Sequence, residues 1–189
     1  MTDAHLIHFS AGEANRITGL TPVMQRDWRR RGFLLPVEGR ASFNAFDLSD
    51  LKIMKLLADG GVGPASSRAW KRAVAYSVVS HALKSPDAYE VTLGNSDETR
   101  RSILRRYSQE PGAHTGEFLP ANAHHMILRA PRFAIWWGEE RASMGDSLDE
   151  LHGSRNQPGA PTIPGIYLDI HGAATDLLRD AGHLVKLEA

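Results

Sequence analysis

Four arginines fall within six residues, at Arg26, Arg29, Arg30 and Arg31, with Gln25 just before them and Trp28 among them. Arginine carries a planar, permanently charged fork that fits a phosphate or the edge of a guanine, and glutamine can bond an adenine through both ends of its amide. A single acidic neighbour, Asp27, offsets the cluster locally. The chemistry on offer is recognition of an anionic, hydrogen-bonding partner rather than bond breaking. A solvated, salt-bridged helix face is the plainer reading of the same residues. Catalysis finds no comparable support. The chain has no nucleophile elbow, phosphate loop or glycine-rich dinucleotide fingerprint, so neither an enzyme nor a bound cofactor is expected.

The elements that must position these arginines are legible from local signals. Ser10 to Glu13 has the form of a capping box, opening a helix that runs to about Thr18 with Ala14 and Ile17 inward. Gly19 supplies a tight turn and Leu20 plugs the space behind it. Thr21 and Pro22 then start a second helix, the one that carries the arginines, and Gly32 stops it. After it, Phe33 to Pro36 and Ala41 to Phe43 read as a short hairpin with Gly39 at its tip and Arg40 beside it. A third helix is expected from Ala45 to Asp59, carrying Phe46, Leu48, Leu51, Met54 and Leu57, and Pro64 starts a fourth that ends by Leu83. Two short helices joined by a glycine turn, the second rich in arginine, is the helix-turn-helix layout.

Charge is distributed to match. The 189 residues carry 22 Lys and Arg against 22 Asp and Glu, a formal net charge of zero. Residues 1–83 hold 11 basic against 7 acidic side chains, and residues 84–189 hold 11 against 15. Only the first part is expected to face phosphate. The absence of cysteine excludes disulfides, thiol catalysis and thiol-based metal or redox sensing. No apolar run is long enough to span a bilayer, and the first ten residues lack the basic and apolar regions of a secretory signal. A soluble, cytoplasmic protein with no membrane partner is the expectation.

The ordered run from Ala14 to Val62 resembles the DNA-binding domain of the mercury-resistance-regulator (MerR) type. The resemblance rests on Gly19 and Thr21 in the turn, Arg26 and Trp28 on the second helix, Gly32 to Leu34 with Pro36, Arg40 and Phe43 on the wing, and Asp47-Leu48 opening the third helix. It covers roughly residues 6–80. It implies a winged helix-turn-helix that binds double-stranded DNA, with the second helix in the major groove and the wing against flanking backbone. Arg26 and Trp28 would then hold phosphate, and Gln25, Arg29 and Arg30 would reach base edges or phosphates. Thr21 at the turn, with Arg40 and Ser42 on the wing, completes the candidate set. Packing of Trp28 under the wing is the alternative for that side chain. Members of the family usually continue into a long coiled-coil helix; here the fourth helix stops by Leu83.

The expected division is a winged helix-turn-helix domain at 1–84 and a small mixed α+β domain at 85–189, parted at Lys84 to Asp87. In the second part Tyr89–Leu93, His125–Arg129, Phe133–Trp137, Gly165–Ile170 and His183–Leu187 are strand-like, and Gly172 to Ala181 reads as a helix between the last two. This part would bind a small-molecule or protein effector or join two copies into a homodimer. Its candidate dimer surface is Phe133 to Trp137, where alternation sets Trp136 and Trp137 on opposite faces. A second basic run, Thr99 to Tyr107, is either a surface helix or a further DNA or partner contact. Tyr167, Asp169 and His171 would share one strand face, and His5 and His8 one helical turn; neither set is expected to hold a metal. A sequence-specific transcription regulator leads, with an excisionase-like architectural DNA protein and a winged helix used for protein–protein contact as alternatives.

Overall fold

The computed structural model describes residues 3–36, 39–67, 71–90, 96–109, 129–137, 142–155 and 165–188. Among them the fold is mixed α+β, with eight α-helices and three small sheets. Caps decide where the first helices begin. The Ser10 hydroxyl accepts from the Glu13 amide at 3.4 Å and the Glu13 carboxylate accepts from the Ser10 amide at 2.7 Å, which closes the capping box on α1 (Ala11–Thr18). Gly19 ends α1 at φ +75°, a left-handed conformation that a Cβ would strain. Thr21 caps α2 (Pro22–Arg30), accepting from the Met24 amide at 3.2 Å. Asn44 caps α3 (Ala45–Asp59), with Asp47 bonding back to the Asn44 amide at 3.0 Å.

The expected fourth helix is divided into α4 (Pro64–Ser67) and α5 (Lys71–Lys84). Every residue of α5 from Lys71 to Ser80 is buried, which makes it the central helix of the molecule. It packs against α3, against α6 (Asp97–Gln109) and against α8 (Ile170–Ala181), while α8 also touches α1 and α3. Ile17, Leu48, Met54, Val74, Leu83 and Leu177 are core members of this bundle. Each such side chain contributes on the order of 1.5–3 kcal/mol of transfer free energy.

Strand pairing departs most from expectation. β1 (Asp3–Leu6) pairs antiparallel with β7 (Val185–Glu188), with Asp3 opposite Glu188 and Leu6 opposite Val185. β2 (Phe9–Ser10) pairs with β3 (Ser42–Phe43). β3, the strand expected in the wing, thus takes its partner from ahead of α1. Residues 33–36 form no strand, so the expected hairpin between them and residues 41–43 is replaced; Val37 and Glu38 lie outside the described residues. The third sheet has the order β5 (Ala142–Gly145), β4 (Phe133–Trp136), β6 (Ile166–Asp169). Because β6 and β7 belong to different sheets, the helix between them does not make a single-sheet strand-helix-strand unit. Of the remaining strand-like runs, Tyr89 forms one isolated bridge to Val185, while residues 91–95 and 125–128 lie outside the described residues.

Alternation along β4 holds. Ala134 and Trp136 face the main core, whereas Ile135 and Trp137 pack with Leu151 of α7 (Leu148–Arg155). Both indoles are covered, Trp136 at 2% exposure and Trp137 at 7%. This corrects the expectation of a dimer surface at residues 133–137: one face lies on the bundle and the other under α7. Lys84 to Asp87, the expected parting of two domains, leads into a single 3₁₀ turn at Pro86–Ala88. Apolar residues from both sides of it share the main core.

Candidate nucleic-acid interface

At 100° per residue, α2 separates its side chains into two faces. Gln25 and Trp28 stand three apart and turn inward; Val23, Arg26 and Arg30 turn outward. Gln25 is only 1% exposed. Its Nε2 donates to the Leu20 carbonyl at 2.8 Å and to the Ala11 carbonyl at 3.3 Å, tying α2 to the start of α1 and to the turn between them. This corrects its assignment as a base-reading side chain, since the side chain is buried and its amide nitrogen is already engaged inside the protein. Trp28 is buried in the core, the packing alternative of the two open to it. Its carbonyl accepts from the Phe33 amide at 2.8 Å, which folds the chain back at the helix end.

The arginines divide as well. Arg26 is exposed and makes no ion pair among the described residues. Arg30 is also outward, with its side chain 80% exposed and bonded to Asp27 at 2.6 Å; Arg31 approaches the same carboxylate at 3.6 Å. The bond from Arg30 holds the Asp27 carboxyl below its ordinary range. Arg29 turns partly inward. Its guanidinium lies 5.3 Å from the centre of the Phe43 ring, so it joins α2 to β3. Burial pulls its pKa down, opposed by the charge of Asp47. Arg40 is exposed after Gly39, which sits at φ +74°, and makes no ion pair among the described residues. Ser42 is exposed, with its Oγ 2.9 Å from His8 Nδ1. The Thr21 hydroxyl serves the cap of α2.

Beneath this face lies a cluster that the linear pattern hides. Asp50 of α3 meets Arg72 at 3.0 Å and Lys71 at 3.8 Å, all three side chains nearly inaccessible. Lys71 also donates to the Phe33 carbonyl at 3.0 Å, linking α5 to the turn that follows α2. Arg29, Phe43 and Asp47 join these three around a cleft of about 160 Å³. Lys71 and Arg72 therefore do not face phosphate, although both count toward the basic surplus of residues 1–83. Lys52, likewise buried, pairs with Asp180 at 3.3 Å.

Elsewhere the polar residues settle into structural work. In α6, Ile103, Leu104 and Tyr107 turn inward, with the Tyr107 ring edge-on to Phe46 at 5.9 Å, and Arg101, Arg105 and Arg106 are exposed. Asp169 caps α8 by accepting from the Gly172 amide at 3.0 Å, and His171 lies on that helix with its ring 5.3 Å from that of His81. Tyr167, Asp169 and His171 therefore share no strand face, because the strand ends at Asp169. His5 and His8 flank the end of β1 rather than sharing a helical turn. His124 and His125 lie outside the described residues. Among the described residues no group of three or more potential ligands could hold a metal ion, and no helix is long and apolar enough to cross a membrane.

No protein-family model, curated protein or solved structure matches this chain.

Proposed function

We propose that this protein binds duplex DNA through the outward face of α2 and regulates transcription at specific sites. The single observation that carries this reading is the two-sided character of α2. Its inner face is locked by Gln25 and Trp28, and its outer face offers Arg26 with no ion pair among the described residues. A short helix held rigidly from behind, with cations aimed outward, suits the major groove. Arg26 and Arg30 take phosphate or guanine there. Arg40, beside the β2–β3 pair that Arg29 fastens to α2, takes flanking backbone, as Ser42 does. Two copies on half-sites one helical turn apart give such a module useful specificity.

Selection of binding sites from random duplex DNA tests this directly. Enrichment of one sequence, with affinity that falls steeply as salt rises, supports the reading; half-site spacing reports the number of copies bound. A promoter carrying the selected site should change its output when the protein is present. Binding that is absent at low salt would end the proposal.

A further inference from the structure

The outward face of α2 has a member that the charge argument does not use. Val23 is 65% exposed, the most exposed large apolar side chain among the described residues. It sits in the first turn of α2, in the middle of the face that carries Arg26 and Arg30, opposite Gln25 and Trp28. A β-branched residue is a poor choice for a solvated helical position, where it loses side-chain freedom and covers nothing. Each neighbour on this face is polar: Thr21 at the cap, then Arg26, Asp27 and Arg30. The valine is an apolar spot inside a cationic frame.

The major groove of DNA has one apolar feature on its base edges, the C5-methyl group of thymine. In a helix-turn-helix the first residues of the second helix are those that reach base edges. From this match, which rests on the DNA-binding reading above, the geometry points to Val23 as a specificity-determining residue that packs against a thymine methyl, with Arg26 and Arg30 fixing the register around it. Arginines alone would favour guanine or phosphate. Val23 adds a requirement for thymine at one position of each half-site.

The test replaces single thymines of the selected site by uracil, which removes the methyl and leaves the pairing edge intact. With the full-length protein, one position per half-site should lose affinity by roughly fourfold, the value of one buried methyl. In Val23→Ala the same thymine-to-uracil change should have little effect, and Val23→Ser should select sites with no thymine preference there. The Val23 side chain bonds to nothing that holds the fold, so thermal unfolding of both variants should match the parent. If the parent binds DNA with steep salt dependence but no uracil position depends on residue 23, the thymine contact is wrong and the DNA reading stands. If the parent fails to bind duplex DNA at all, both fall together.

Discussion

Two groups of cations lie close together in this molecule and are treated in opposite ways. Lys71 and Arg72 are buried around one carboxylate, Asp50, and they fasten α3, α5 and the turn after α2. Arg26, Arg30 and Arg40 are exposed, and among the described residues only Arg30 of these is paired, with the surface carboxylate Asp27. A buried charge must be compensated within the protein, because its hydration is lost. An exposed charge retains its water and is free to exchange it for a ligand. The same residue types are thus scaffold in one place and, on the proposed DNA-binding reading, contact surface in the other, and burial is what separates them.

The largest effect that would break this distinction is in the buried group. Asp50→Ala strands two interior cations and should cost about 3–5 kcal/mol of stability, measured by chemical denaturation. A loss below about 1 kcal/mol would mean the cluster is hydrated, and the contrast would collapse. Next comes Gln25→Ala, which removes the donor to Leu20 and Ala11 and should cost about 1–3 kcal/mol. Its selected DNA site should be the parent's; a changed site would make Gln25 a base reader after all. Smaller in stability is the triple variant Arg26→Ala, Arg30→Ala, Arg40→Ala, expected within about 0.5 kcal/mol of the parent. It should nevertheless lower the salt slope of DNA binding by roughly one for each phosphate that is no longer neutralised.

His81 supplies the intermediate case and the smallest effect. It is partly buried between α5 and α8, with its Nε2 3.3 Å from the Pro131 carbonyl. Burial lowers its pKa from the ordinary 6.5, helped by the nearby charge of Lys84 and by His171 and opposed by the bond to Pro131. Just below pH 6.5 the unfolded chain therefore binds more protons at this site than the folded one. Stability contributed by neutral His81 is full above that pH and is lost as the pH falls through the lowered folded value. Denaturation midpoints should decline over that range, and His81→Gln should flatten the decline. An unchanged profile would show that His81 is as freely hydrated as Arg26.

Helices near the chain start are legible in the sequence because their determinants are local. Ser10, Thr21 and the Ala45 start of α3 each depend on residues within four positions. The pairing of β2 with β3 and of β1 with β7 is not, because strand partners are chosen by the whole fold and leave no mark at fixed spacing. Within the candidate site, residue type misleads where periodicity serves better. Gln25 looks like a base reader by chemistry, but its three-residue step from Trp28 puts it on the inner face. Val23 carries no charge and so no chemical signal of its own, yet the same periodicity centres it on the outer face. Nothing in the sequence distinguishes Lys71 and Arg72 from surface cations, since the carboxylate that compensates them lies on another helix well before them in the chain.

The β1–β7 pair also governs the order of events during synthesis. β1 leaves the ribosome well before β7, so it stays unpaired until β7 emerges, and α1 and α3 likewise wait for their contacts with α8. At about 5–20 residues per second, the hundred or so residues after α5 take on the order of ten seconds to appear. Closing contacts across nearly the entire chain is entropically costly and slow. Throughout that interval the sides of α1 and α3 that meet α8 lack their cover, so the nascent chain is exposed to chaperones and to misassociation. Completion of the bundle that backs α2 is a late step, made only when α8 and β7 arrive.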